Sequence, residues 1–179
     1  MMKIEVQIYQ HEWPKLFEKE ANNICAILGK EIMAIHHIGS TSVPGLKAKP
    51  VIDILPVVKD VHVIDQYNEA MADLGYKSLG ENGIKGRRFF KKGENPRTHH
   101  VHIFQKDAQH EIVRHLAVRD YLKAHVNTAR DYGVLKESLA QKFPNDIEGY
   151  CDGKDAYVRQ LERNALEWCI QNEEIDYIS

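Results

Sequence analysis

The amino-acid sequence predicts an α/β fold, of the α+β kind, that ends in a bundle of helices. Two apolar segments, 35–38 and 51–58, flank a turn of glycine, serine and threonine, which is typical of two strands joined by a loop. Beyond Asp107 the apolar residues recur only at helical spacing. We therefore expect an α/β portion over residues 1–105 and a helical portion over residues 106–179.

The α/β portion is predicted to begin with a helix. Trp13-Pro14 starts a helical pattern that ends at Gly29, because proline is tolerated in a first turn and glycine favours a helix end. A second helix is expected from about Val61 to Leu74. The remaining predicted strands are 76–79, 87–91 and 99–104.

Three amphipathic segments make up the helical portion. Asn127 is a candidate N-cap for the middle helix, and Pro144 and Gly149 mark a break before the last one. The predicted inner faces are Val113, Leu116, Ala117, Tyr121 and Ala124, then Tyr132, Leu135, Leu139 and Phe143, then Val158, Leu161, Ala165 and Trp168.

Composition excludes several classes of protein. With 179 residues, of which 43% are hydrophobic, the chain can bury a core, which argues against disorder. A net charge of −2 argues against a general nucleic-acid coat. The three cysteines are widely spaced and form no CxxC pair, which favours a reducing compartment and gives no zinc signature. With no long apolar segment, we expect a cytoplasmic protein without a signal peptide or membrane span.

The loop from Gly39 to Gly45 is the strongest candidate binding element. Glycine lets backbone N–H groups approach an anion, and the hydroxyls of Ser40, Thr41 and Ser42 add hydrogen-bonding groups. A phosphate is the predicted ligand, with Lys49 just after the loop as a further candidate phosphate-binding residue, and a purely structural turn is the alternative.

Asp53 lies on the strand that follows this loop, between apolar neighbours. A buried carboxylate needs a cation, so a divalent metal ion is one partner to expect. A buried salt bridge, to Lys49 or to an arginine, is the other.

Three histidines lie in the segment His99-His100-Val101-His102. On a strand, His100 and His102 point to one face about 7 Å apart, so both can reach one ligand. If this strand neighbours Asp53, the three side chains form a mixed nitrogen and oxygen site. Phosphate contact, proton transfer and a solvent-facing edge are the alternatives.

The arginines of the preceding strand alternate between its faces. Alternation places Arg87 and Arg88 on opposite sides, so one of them can reach an anionic ligand. Arg88 is the candidate nucleotide-binding residue, and a solvated hairpin is the alternative.

Several of these motifs together resemble the GrpB family, over nearly the whole chain. The resemblance implies a fold like that of the DNA polymerase β-like nucleotidyltransferases, with a mixed β-sheet flanked by helices. In that superfamily a Gly-Ser turn holds the triphosphate and acidic residues bind Mg²⁺. The matching motifs are Trp13-Pro14, Gly39-Ser40-Thr41-Ser42-Val43-Pro44-Gly45, Ala48-Lys49-Pro50, Ile52-Asp53-Ile54, His100-Val101-His102 and Arg119-Asp120-Tyr121-Leu122.

One departure from the superfamily pattern weakens the predicted metal site. The superfamily carries Asp-x-Asp or Asp-x-Glu on the second strand, whereas this chain has Asp53-Ile54-Leu55. Two-metal phosphoryl chemistry needs several carboxylates. His100 and His102 are therefore candidate replacements, with Mg²⁺, Mn²⁺ or Zn²⁺ as candidate ions.

The resemblance also points to two tyrosine–lysine pairs in the helical portion. Lys136 follows Tyr132 by four positions and Lys154 follows Tyr150 by four, so each pair shares a helix face. By resemblance, the lysines serve phosphate and the tyrosines stack on a base, and ordinary amphipathic packing is the alternative.

We therefore expect the chain to bind a nucleotide or another phosphorylated small molecule. If it is an enzyme, metal-dependent nucleotidyl transfer is the expected reaction, with Asp53, His100 and His102 as the catalytic and metal-binding residues. One alternative is a non-catalytic module that lost its second carboxylate. Another is a metal-dependent hydrolase at an Asp/His/His centre. The oligomeric state is not predicted.

Overall fold

A computed structural model describes residues 3–172 and divides them into two compact units. We call residues 11–38 and 51–111 the sheet unit, because all five strands lie there. We call the rest the helical unit, which comprises residues 3–10, 39–50 and 112–172. The predicted division near residue 105 stays a prediction.

The sheet unit contains a five-stranded mixed sheet in the order β1-β2-β5-β4-β3. β2 and β5 pair in parallel, and the other neighbours pair antiparallel. Four of the predicted strands agree with the structure to within one residue at each end, and β1 begins earlier than predicted. The strands are β1 (Ile32–Ile38), β2 (Ile52–Val58), β3 (Tyr76–Ser78), β4 (Arg88–Lys92) and β5 (His99–Gln105).

Helix α1 (Trp13–Leu28) packs against β1 and β2. Its start and end confirm the prediction: the proline lies in the first turn, and Gly29 follows the helix with φ +52°. Phe17 stacks on His37 of β1 with ring centroids 4.7 Å apart, which attaches the helix to the sheet.

The helix predicted from Val61 to Leu74 is only partly correct. Val61–Tyr67 forms a 3₁₀ helix, and α2 covers only Asn68–Asp73. Asp60 accepts a hydrogen bond from the His62 N–H and so begins the segment. Apolar residues three and four positions apart fit a 3₁₀ turn as well as an α-helical one over so short a segment, so spacing alone does not separate the two.

Three long helices follow the sheet in the chain: α3 (Gln109–Ala124), α4 (Val126–Lys142) and α5 (Ile147–Gln171). The helical unit contains α4, α5 and the part of α3 from Ile112 onward. Asn127 is not the N-cap of α4, because that helix starts one residue earlier, directly after His125. Gly149 lies inside α5 rather than before it. Asp146 caps α5 by accepting a hydrogen bond from the Gly149 N–H at 3.0 Å.

This mixed α/β arrangement, with its flanked sheet and C-terminal helices, confirms the predicted fold class. In the helical unit the loop 39–50 contributes Val43 and Leu46 to a core formed with α3, α4 and α5. That packing fixes the predicted phosphate loop against the helices. No helix among the described residues combines the length and the apolarity that crossing a membrane requires.

Candidate functional site

Strand pairing brings Asp53 and the two predicted histidines to one face of the sheet. Asp53 of β2 pairs with His100 of β5 in the parallel register, and His102 follows two residues later. Paired residues project to the same side, as do residues two apart on one strand. The three side chains therefore lie together in the sheet unit, as expected if the strand of His100 and His102 neighbours that of Asp53.

Both imidazoles approach the same carboxylate oxygen. His102 Nε2 lies 3.0 Å from Asp53 Oδ1, and His100 Nδ1 lies 3.5 Å from it. The side chains are 14–25% exposed, so a small solute can reach the cluster. His100 Nε2 is buried and has no hydrogen-bond partner among residues 3–172.

The histidines hold Asp53 in its charged form. Burial by itself would raise the pKa of the carboxyl, because it penalises the ion. Hydrogen bonds with His100 and His102 outweigh burial and hold the pKa of Asp53 well below its ordinary range. The carboxylate is therefore ionised at neutral pH and available to bind a cation or accept a proton.

Arg87 is a member of this cluster that the sequence prediction missed. Its Nη1 lies 3.4 Å from His102 Nδ1, and its guanidinium lies over the ring of Phe89, 4.8 Å from the centroid. Strand alternation had placed Arg87 and Phe89 on one face. Since Phe89 pairs with His102 in the β4–β5 ladder, knowledge of that register would have identified Arg87.

The donor set suits a transition metal better than magnesium. Asp53, His100 and His102 form the one group among the described residues that could hold a metal ion, with ligand atoms within 4.8 Å of one another. Two imidazoles and a carboxylate are ligands that Zn²⁺, Mn²⁺ or Fe²⁺ accepts, whereas Mg²⁺ prefers oxygen. These residues fit a single ion of that kind.

Among the described residues, no carboxylate beside Asp53 supplies the second acid of the Asp-x-Asp pattern. Leu55, two residues along β2, is fully buried and apolar. The Glu81 carboxylate, an acid of the segment before β4, accepts a hydrogen bond from the Gly86 N–H. A two-metal centre therefore lacks its ligands among the described residues of the sheet unit.

The predicted phosphate loop has a defined backbone conformation. Gly39 has φ +72° and ψ −175°, a region essentially restricted to glycine, and Ser40–Ser42 forms a short 3₁₀ turn after it. The Ser42 N–H and hydroxyl both donate to the Gly39 carbonyl. Ser42 therefore stabilises the turn, and Thr41 is buried beside it.

A buried lysine lies beside this loop. Lys136 of α4 is 2% exposed, and its Nζ donates to Ser40 Oγ at 2.8 Å. The same ammonium lies over the Tyr132 ring, 4.5 Å from the centroid. The helical unit thus brings together two of the predicted phosphate-binding residues, Ser40 and Lys136.

Lys49 and Lys154 lie on a second tyrosine of the helical unit. Their Nζ atoms are 5.1 and 5.0 Å from the centroid of the Tyr150 ring. Tyr150 is fully buried, and its hydroxyl has no hydrogen-bond partner in the described part of the chain. Burial and the neighbouring Tyr132 raise the pKa of Tyr150, so the phenol stays protonated and available as a donor.

The tyrosines do not fit the suggested role of stacking on a base. Tyr150 has no exposed surface, and Tyr132 already stacks on Tyr157 with centroids 5.4 Å apart. Their rings are used to pack the helices and to hold the lysine ammonium groups. Both rings are therefore occupied within the helical unit by packing and by lysine ammonium groups.

Arg88 lies away from the Asp53 cluster, on the opposite face of the sheet. It forms an ion pair with Asp65, with Nε 2.7 Å from Oδ1, and its Nη2 lies 3.3 Å from His62 Nδ1. These residues line an open cavity of about 670 Å³ within the sheet unit. A nucleotide-binding role for Arg88 stays a prediction.

Similarity in sequence and in structure assigns the chain to one protein family. The family model described as GrpB protein matches residues 3–164. The crystal structure of conserved protein GrpB from Enterococcus faecalis is 44% identical, has a TM-score of 0.89, and covers 91% of this chain and 98% of that chain.

Two curated relatives differ in the fraction of their own length that matches this chain. "UPF0157 protein YqkA" of Bacillus subtilis is 46% identical over 93% of this chain, but the match takes up 48% of its own length. "Glutamate-rich protein GrpB" of Alkalihalophilus pseudofirmus is 35% identical over 89% of this chain and 95% of its own length. The chain thus spans about half the length of the Bacillus relative.

Proposed function

The chain belongs to the GrpB family, and from that premise we propose that it binds a nucleotide or another phosphorylated small molecule through its phosphate loop. The observation that carries this proposal is the 2.8 Å hydrogen bond from Lys136 Nζ to Ser40 Oγ beside the turn at Gly39. It supports an anion site built from a loop and a buried cation.

The chemistry of this pair suits a phosphoryl group. Since Ser40 Oγ accepts from Lys136, its own proton is left to donate to a ligand oxygen. A buried ammonium gains free energy from a nearby anion, because little water screens the two charges. Lys49 and Lys154, together with the unpartnered Tyr150 hydroxyl, would add further donors within the same unit.

The second part of the proposal is a divalent cation on Asp53, His100 and His102. A bound transition metal would supply a Lewis acid for phosphoryl chemistry. Asp53 would contribute the charge, and the two imidazoles would select a transition metal over Mg²⁺. The proposal of a cation site depends only on these three side chains of the sheet unit.

Calorimetric titration tests ligand and metal together. ATP, GTP, CTP, UTP and inorganic phosphate are titrated into the protein, each with and without Mn²⁺. We expect saturable binding of at least one phosphorylated compound. If none of the phosphorylated compounds binds under either condition, the proposal is wrong.

Catalysis is a separate question that turnover decides. Nucleotidyl transfer predicts release of pyrophosphate from a labelled nucleotide, and its loss in Asp53→Ala. The buried Leu55 favours the rival function, a binding module that lost its second carboxylate. That module predicts binding without turnover for every nucleotide tested.

A metal-dependent hydrolase at the Asp/His/His cluster is a further candidate, because the donor set suits a hydrolytic metal. It predicts stoichiometric Zn, Mn or Fe in the purified protein. It also predicts loss of that metal in the His100→Ala/His102→Ala double variant. Protein free of metal after reconstitution with each ion would contradict it.

A further inference from the structure

The protons of the Asp53 cluster can be placed from the groups that surround His102. Arginine remains protonated in proteins and its guanidinium only donates hydrogen bonds. Arg87 is held in position by hydrogen bonds to the carbonyls of Glu81, at 3.1 Å, and Asn82, at 2.7 Å. Its Nη1 then faces His102 Nδ1 at 3.4 Å.

A nitrogen that faces a guanidinium donor must offer its lone pair. His102 Nδ1 is therefore the unprotonated nitrogen, and a neutral imidazole then carries its proton on Nε2. That nitrogen lies 3.0 Å from Asp53 Oδ1, an acceptor. The contacts on both sides of the ring consequently favour the same tautomer.

This tautomer opposes metal binding through His102 Nε2. A ligating nitrogen needs a free lone pair, so the proton would have to move from Nε2 to Nδ1. There it would face Arg87, donor against donor. In metal sites the other ring nitrogen of a ligating histidine normally donates to a carboxylate, carbonyl or water, which is the reverse of this arrangement.

We propose that Arg87 is a positioning residue that fixes the proton of His102 on Nε2, and that it thereby weakens transition-metal binding at the cluster. The inference deepens the cation part of the proposed function and rests on it. Arg87 thus lowers the metal affinity of the cluster, because a metal ion has to displace the hydrogen bond between His102 and Asp53.

The tautomer is measured directly and without metal. Long-range ¹H–¹⁵N NMR spectra of the wild-type protein show which ring nitrogen carries the proton, and His102→Gln identifies the signals of His102. We expect the proton on Nε2, and we expect it to stay there in Arg87→Lys, which keeps a donor. A proton on Nδ1 in the wild-type protein would overturn the inference.

Metal affinity is measured with Zn²⁺ alone. Arg87→Met removes the opposing donor and is expected to bind Zn²⁺ on the order of tenfold more tightly than the wild type, the size of effect typical of groups around metal ligands. Arg88→Met is the matched control, because the Arg88 guanidinium pairs with Asp65. The affinity of this variant for Zn²⁺ should equal that of the wild type. Equal affinity in Arg87→Met and wild type would contradict the inference.

A variant that does not fold and a protein that binds no Zn²⁺ each have a defined reading. If Arg87→Met does not fold, Arg87→Gln keeps a polar group for the Glu81 and Asn82 carbonyls while removing the charge, and the same gain in affinity is expected. If no variant binds Zn²⁺ while the proton is found on Nε2, the cation site and the effect on metal affinity are wrong. The assignment of the tautomer would then still stand on the NMR result.

Discussion

His102 Nε2 and Asp53 Oδ1 lie 3.0 Å apart although 49 residues separate them in the chain. The parallel pairing of β2 with β5 makes this contact, and a neighbouring His100 on the same oxygen reinforces it. The carboxylate therefore has two imidazole partners before any metal or ligand arrives. Its charge state and the stability of the sheet unit are linked.

Stability should depend on pH through Asp53. The folded protein holds the pKa of Asp53 below its unfolded value of 3.8, so the unfolded chain binds more protons as the pH falls. The stabilisation is fully present above about pH 4 and is lost as the pH decreases towards the folded pKa. Urea unfolding of wild type and Asp53→Asn at about pH 5.5 and about pH 3 measures it. We expect the two free energies of unfolding to converge at the lower pH; a difference that stays constant would contradict the linkage.

Gly39→Ala should destabilise the phosphate loop. The φ of +72° with ψ of −175° is strained for any residue with a Cβ, at a cost of about 1–3 kcal/mol. Thermal unfolding measures this loss, and weaker phosphate binding should accompany it. An alanine variant as stable as the wild type would show that the loop adopts another conformation.

Tyr150→Phe should separate stability from binding. The buried hydroxyl has no partner among the residues that the structure describes, so its removal relieves a desolvation penalty of about 1–3 kcal/mol and leaves stability equal or higher. If the phenol donates to the ligand, affinity for the phosphorylated compound falls in the same variant. Tyr157→Phe is the control, since that hydroxyl donates to the Thr128 carbonyl and its loss should cost about 1 kcal/mol. A large destabilisation by Tyr150→Phe would contradict the assignment of an unpartnered hydroxyl.

Asp146→Ala should destabilise α5. The Asp146 carboxylate accepts from the Gly149 N–H, and loss of such a cap costs about 1 kcal/mol. Asn127→Ala provides a matched control near the start of α4, where the side chain is not the cap, and should change stability little. Chemical denaturation of both variants compares them. Equal losses would show that the hydrogen bond at Asp146 contributes nothing specific.

Strand alternation predicted more of the cluster than any other pattern. It placed His100 and His102 on one face, and it separated Arg87 from Arg88. It could not identify the arginine that faces His102, because alternation assigns two faces without saying which one the neighbouring strand presents. The pairing of Phe89 with His102 settles that point, and pairing depends on tertiary packing.

The contact between Lys136 and Ser40 was beyond sequence reasoning for a similar reason. The two residues are 96 positions apart, and no local pattern links a helix face to a distant loop. Helical spacing identified the Tyr132–Lys136 pair alone, which the structure retains as a cation over a ring. The second helix was only partly predicted, because apolar spacing over seven residues does not distinguish a 3₁₀ helix from an α-helix.

Calorimetric titration of Lys136→Met with the phosphorylated compound that binds wild type tests the central claim most directly. Loss of a buried, charged hydrogen-bond donor should weaken binding by about tenfold or more, because such bonds contribute about 1.5–3 kcal/mol. Lys142→Met on the same helix, whose ammonium lies over Phe143, should bind as wild type does. Unchanged affinity in a folded Lys136→Met protein would contradict the proposed phosphate site.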